Sequence, residues 1–122
     1  MKIIWHDASI NGISFDVESS ELKLFIEFNA SLGDELLTSP DEFVAGVCLF
    51  RNVQGTQEIK ELCKQFSENE KIFGDVLSCE TIQKDVLSTT VLKFILFNLD
   101  SKTQEFVVLE IDSEPYKFQV LG

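Results

Sequence analysis

A single histidine, one tryptophan, one tyrosine, one methionine and two prolines among 122 residues supply little of the usual material for catalysis or for a flexible linker. With His6 alone, no HExxH or multi-histidine metal site can be assembled, and neither a Walker loop nor a GxGxxG turn is present. The three cysteines, Cys48, Cys63 and Cys79, contain no CxxC pair and no zinc spacing, and each sits among apolar neighbours, so buried free thiols are expected. The acid pairs lack the calcium-loop spacing. No cofactor and no metal is therefore expected. The longest apolar runs fall short of the roughly 18 residues needed to cross a bilayer. Ile3-Ile4-Trp5 ahead of His6 is too short for a signal-peptide core, so a cytoplasmic chain is expected.

Basic residues are scarce as well. Ten Lys and Arg stand against 21 Asp and Glu, for a net charge of −11. Such a field repels phosphate backbones and anionic membranes and attracts basic partners, so neither nucleic acid nor membrane is an expected ligand. The imbalance is concentrated: residues 1–50 hold nine acids and two bases, residues 51–122 twelve and eight. What the chain does have is apolar mass. An apolar fraction of 44% and eleven phenylalanines fit a packed core, and a chain of this size buries about two thirds of its surface on folding. No repeat or linker interrupts it, which makes 1–122 a single domain.

Alternation at period two identifies the strands. Residues 9–17 place Ile13, Phe15 and Val17 on one face, and residues 2–5 read as a lead-in to this strand. Residues 21–29 place Leu22, Leu24, Ile26 and Phe28 on one face and Glu21, Lys23, Glu27 and Asn29 on the other, with Phe25 standing among the charges. Together these form an acidic hairpin joined at Glu18–Glu21. Ser39-Pro40-Asp41-Glu42 has the chemistry of a helix start, yet Phe43–Phe50 is β-branched and apolar on both faces. Residues 40–46 thus read either as a helical turn or as the start of a buried strand running to Val53. Ile59, Leu62, Cys63 and Phe66 recur at i, i+3, i+4, i+7 and predict one amphipathic helix near 57–67.

Strands follow at 75–83 with a bend at Gly74, at 91–99 after a Ser88-Thr89-Thr90 approach, at 105–111 and at 116–120. The turns between the last three suggest an antiparallel meander. The fold class is α+β: about seven mostly antiparallel strands, as a sandwich or a strongly curved sheet, with one helix.

His6, Asp7 and Ser9 are neighbours, but adjacent residues on a strand cannot converge into a relay, and a structural role is the plainer reading. The acids are the better candidates. Asp16, Glu18, Glu21 and Glu27 on the hairpin, with Asp34, Glu35, Asp41 and Glu42 beyond it, form the densest cluster, broken only by Lys23. Phe25 or Trp5 offers a nearby aromatic anchor. A rigid acidic face of this kind can mimic a polyanion and plug a cationic site.

His6-Asp7-Ala8 with Ile10, Ile13 and Asp16, followed by the alternating Leu22-Lys23-Leu24-Phe25-Ile26-Glu27, resembles the start of small bacterial immunity proteins of polymorphic-toxin and contact-dependent growth inhibition systems. The likeness covers about the first 30 residues; beyond them only size, acidity and β content agree. It implies a cytoplasmic antitoxin, not an enzyme, that binds and neutralises one cognate toxin domain, often a nuclease. A general adaptor domain without a toxin partner is the alternative, and a small hydrolase the outsider.

Overall fold

The computed structural model describes residues 3–29 and 43–121. In chain order the elements are β1 (Ser9–Asp16), β2 (Glu21–Asn29), β3 (Phe43–Phe50), α1 (Gln57–Glu68), β4 (Ile72–Lys84), β5 (Leu87–Asn98), β6 (Thr103–Ser113) and β7 (Lys117–Val120). All seven strands form one antiparallel sheet in the order β6-β5-β4-β1-β2-β3-β7. This is the mostly antiparallel α+β class expected, resolved as a curved sheet rather than a two-sheet sandwich.

The curvature follows from connectivity. β6 and β7 lie at opposite ends of the strand order, yet only Glu114, Pro115 and Tyr116 separate them. A flat sheet would hold those edges about 29 Å apart, whereas the link reaches at most about 14 Å. The sheet must roll until its edges converge at that end. Two backbone bonds seal the convergence: Gln54 N–H to Asp112 O at 2.8 Å, and Glu114 N–H to Arg51 O at 2.9 Å. The bend is helped by irregular register at Ile10/Gly12 in β1 and at Val76/Ser78 in β4.

The meander expected from the last three strands is therefore corrected. β7 pairs with β3, not β6, because the chain crosses over Arg51 and Pro115 has no N–H for a hairpin ladder. The true meander is β4-β5-β6.

Other boundaries moved for identifiable reasons. Residues 3–5 do not extend β1: a turn intervenes, with Ala8 N–H on Trp5 O at 2.9 Å and Asp7 at φ 65°. Val17 lies in the β1–β2 turn, where it is exposed. β3 stops at Phe50, and Val53 is buried beyond the strand. β4 begins at Ile72 and passes through Gly74 without a break, since Phe94 and Ile10 occupy the space a side chain there would need. Ser88, Thr89 and Thr90 are buried strand residues because their hydroxyls find partners: Gln83 at 2.8 Å, Asp112 at 2.6 Å and Thr81 at 3.2 Å, respectively.

The helix matches its expectation within one residue. It turns Ile59 and Leu62 into the core, with Cys63 and Phe66 half-buried beside them, and packs against β1 and β4. That is where β1 leaves β4, the two strands being paired only at Ser9–Asp75 and Ile10–Gly74. The concave face of the sheet carries Ile10, Leu22, Leu24, Ile26, Phe28, Cys48, Phe50, Phe94 and Leu109 in one buried cluster. No helix among the described residues is long and apolar enough to cross a membrane.

Candidate functional site

The convex face of β1-β2-β3-β7 holds the hairpin residues singled out above. Strict alternation in β2 sends Leu22, Leu24, Ile26 and Phe28 inward and leaves Lys23, Phe25 and Glu27 exposed, with Glu21 half-buried at the strand's start. Register fixes their neighbours. Glu21 lies opposite Asp16, Lys23 between Ser14 and Leu49, Phe25 between Gly12 and Val47, and Glu27 between Ser9 and Ala45. On the far side of β3, Lys117 pairs with Leu49 and Gln119 with Val47.

Phe25 is 36% exposed at the middle of this face. Its ring lies against Gly12, where even an added Cβ would meet it only at the ordinary contact distance of 3.4 Å. A surface groove of about 440 Å³ runs beside it, lined by Glu21, Lys23, Val47, Leu49, Arg51, Gln119 and Leu121. Its apolar floor and charged rim are the anatomy of a protein contact.

The electrostatics differ from the expectation. Arg51 reaches Glu21 at 3.7 Å, and Lys117 shares the face with Lys23. The hairpin acids are thus broken by three cations, not by Lys23 alone, because the sheet brings in β3 and β7 from far along the sequence. Glu18 sits in the β1–β2 turn with its N–H on the Asp16 carboxylate at 3.0 Å. Glu27 lies about 20 Å along β2 from Glu21, and Asp75 flanks the same Ser9 from β4. The face consequently has two acidic poles, Asp16–Glu18–Glu21 and Glu27–Asp75, with Arg51 on Glu21 of the first and with Lys23, Lys117 and Phe25 between them. Asp34, Glu35, Asp41 and Glu42 lie outside the described residues, as does the proposed helix start at Ser39-Pro40. Residues 43–46 are strand.

Arg51, Lys117, Val47, Leu49, Gln119, Leu121 and Asp75 were missed by sequence reasoning. Alternation assigns Val47 and Leu49 to one face of β3, but a run apolar on both sides does not say which face is outward.

The remaining chemistry is sparse. His6 is exposed in its turn, 3.4 Å from Asp7. Burial pushes the thiols of Cys48 and Cys79 up to about 12, and the thiol of Cys63 also upward, so all three are protonated at neutral pH and poor nucleophiles. Among the described residues no three His, Cys, Asp or Glu side chains converge to hold a metal ion. Glu58 and Glu61 of α1 face Glu105 of β6 across a smaller groove of about 200 Å³. Comparison with protein-family models, with curated proteins and with solved structures finds no match to the chain.

Proposed function

We propose that this chain is a cytoplasmic, non-catalytic immunity protein that binds and neutralises a basic toxin domain, such as a nuclease, through the convex face of β1-β2-β3-β7. The observation that carries the reading is Phe25, partly exposed on a strand paired on both sides and set between two acidic poles, in a chain of net charge −11. The overall charge draws in a basic partner; the fixed alternation of acids, cations and an aromatic on a rigid face then selects among basic partners. An anchor needing no reordering on binding loses little entropy there.

Co-expression with the product of the neighbouring gene, followed by purification of a complex and a growth-rescue assay, tests the reading. The double variant E21K/E27K is expected to slow association at low salt on the order of tenfold. E70K, in the turn after α1 and away from this face, should change it far less. Absence of a complex rejects the toxin partner; equal slowing by both variants rejects the face.

A further inference from the structure

β6 is an edge strand of eleven residues, against four in β7 at the other edge. Between Thr103 and Ile111 no described segment pairs with the side of β6 turned away from β5; only Asp112 is taken, by Gln54. Natural sheets blunt such edges with proline, bulges or very short strands. β6 has none of these three, its register with β5 being unbroken over its whole length; α1 lies alongside it across the groove of about 200 Å³ lined by Glu58, Glu61, Val107 and Val108 but does not pair with it, and Glu105 is the one charge on its inward face. Its convex face presents Phe106, 57% exposed, and Val108, 43% exposed, beside Ile95.

The backbone phase of this edge is fixed by the Gln54–Asp112 bond. Asp112 points its carbonyl away from β5, so Gln104, Phe106, Val108 and Glu110 do the same and leave their N–H and C=O groups open. The open segment is centred on Val107.

We infer that β6 pairs antiparallel with β6 of a second copy of this chain, about a two-fold axis through Val107, making one continuous sheet across a homodimer. In that register Phe106 lies opposite Val108 of the second copy, Gln104 opposite Glu110 and Glu105 opposite Leu109, and Lys102 comes to the level of Asp112. No acid meets an acid, whereas the neighbouring axis between Val107 and Val108 would set Glu105 against Glu110. That axis would also pair inward residues with outward ones. All the open backbone groups become hydrogen-bonded pairs, about eight bonds in total. The interface is self-complementary, as a two-fold contact must be. It lies on the meander and leaves the Phe25 face free, so it stands whether or not that face binds a toxin.

Sedimentation velocity of the purified chain should give a dimer. Val108→Pro removes one open N–H from the edge, and Phe106→Lys places a charge where Phe106 meets Val108; each should shift the mass to monomer while the far-ultraviolet spectrum of the fold is kept. Val107 opposite Val107 is a non-hydrogen-bonded pair with Cα atoms about 4.5 Å apart, within disulfide range. Val107→Cys should therefore crosslink on oxidation to a covalent dimer that is absent from the oxidised parent and from Phe106→Cys. A monomer at the highest soluble concentration, a dimer untouched by Phe106→Lys, or a Val107→Cys dimer that does not crosslink would each overturn the assignment.

Discussion

The indole N–H of Trp5 donates to the hydroxyl of Tyr116 across 3.3 Å, with the two rings edge to face at 6.0 Å. Tyr116 packs in turn on the buried ring of Phe50 at 5.2 Å. This pair ties the segment ahead of β1 to the link between β6 and β7, at the end where the sheet edges converge. Tyr116→Phe removes only the hydrogen bond and should lower stability by about 1 kcal/mol. Trp5→Ala removes the packing as well and should lose about 2–3 kcal/mol. Urea unfolding of both variants measures the difference.

Gly46 determines whether β7 can dock. A Cβ there would lie 2.4 Å from the Phe118 ring and 2.7 Å from the Gln119 carbonyl. Gly46→Ala should cost about 2–3 kcal/mol, and hydrogen exchange should show protection lost first at Leu121, whose N–H bonds to Ala45 O. Adding Phe118→Ala relieves only the ring clash, so the double variant should be more stable than the summed single losses imply.

Phe25 and Phe28 are on opposite faces of one strand and separate binding from folding. Phe28 is 2% exposed, and Phe28→Ala should cost about 3–5 kcal/mol. Phe25→Ala should cost about 1 kcal/mol, since it already meets water over 36% of its surface. If the Phe25 face binds the toxin domain, Phe25→Ala should weaken that complex about tenfold or more, as an aromatic anchor does. Calorimetric titration beside thermal melts distinguishes the two effects.

Alkaline pH should expose the buried thiols. Burial raises Cys48 and Cys79 from 9.0 to about 12 in the folded chain. Below pH 9 both states hold the thiol proton and no stability is at stake. Above it the unfolded chain ionises first and binds fewer protons, so stability falls as pH rises from about 9 towards 12. Cys48→Ala should be less stable at pH 7 yet decline less steeply over that window, as read from melts at each pH.

Salt should act in opposite directions on the two interfaces. Association with a basic partner is steered by unlike charge and slows as salt rises, whereas two copies of a −11 chain repel, so pairing through β6 tightens as salt screens them. On-rates and sedimentation mass across a salt series report both trends.

Local patterning was enough for the strands whose two faces differ. Leu22 through Phe28 alternate with Phe25 as the one apolar residue on the polar face, and Ile59 through Phe66 repeat at helical spacing, so both elements were legible. Non-local pairing was not. Parity says which residues of β7 share a face, but nothing in Tyr116–Val120 says that the face continues onto β3; the crossing depends on a bond between Glu114 and Arg51. The candidate site shows the same limit. Phe25 and its flanking acids were visible in one strand, while Arg51 and Lys117 reach the same face from segments more than twenty residues away and turn an acidic surface into a mixed one. The Ser88–Thr90 segment looked polar because its partners, Gln83, Asp112 and Thr81, lie on neighbouring strands.

The Glu114–Tyr116 link also bears on the order in which the chain assembles. Hairpins of β4, β5 and β6 close over turns of two and four residues, Asp85–Val86 and Leu99–Lys102, and can form early. Bringing β7 to β3 directly would close a loop of about 70 residues, dearer than a four-residue turn by about 2–3 kcal/mol. The bonds from Gln54 to Asp112 and from Arg51 to Glu114 bring the same segments together one step before β7 itself pairs. Once they exist, β7 starts three residues from its place and needs almost no further search. The slow event in folding is then the meeting of Asp112 with the segment after β3, and the last strand simply follows it in.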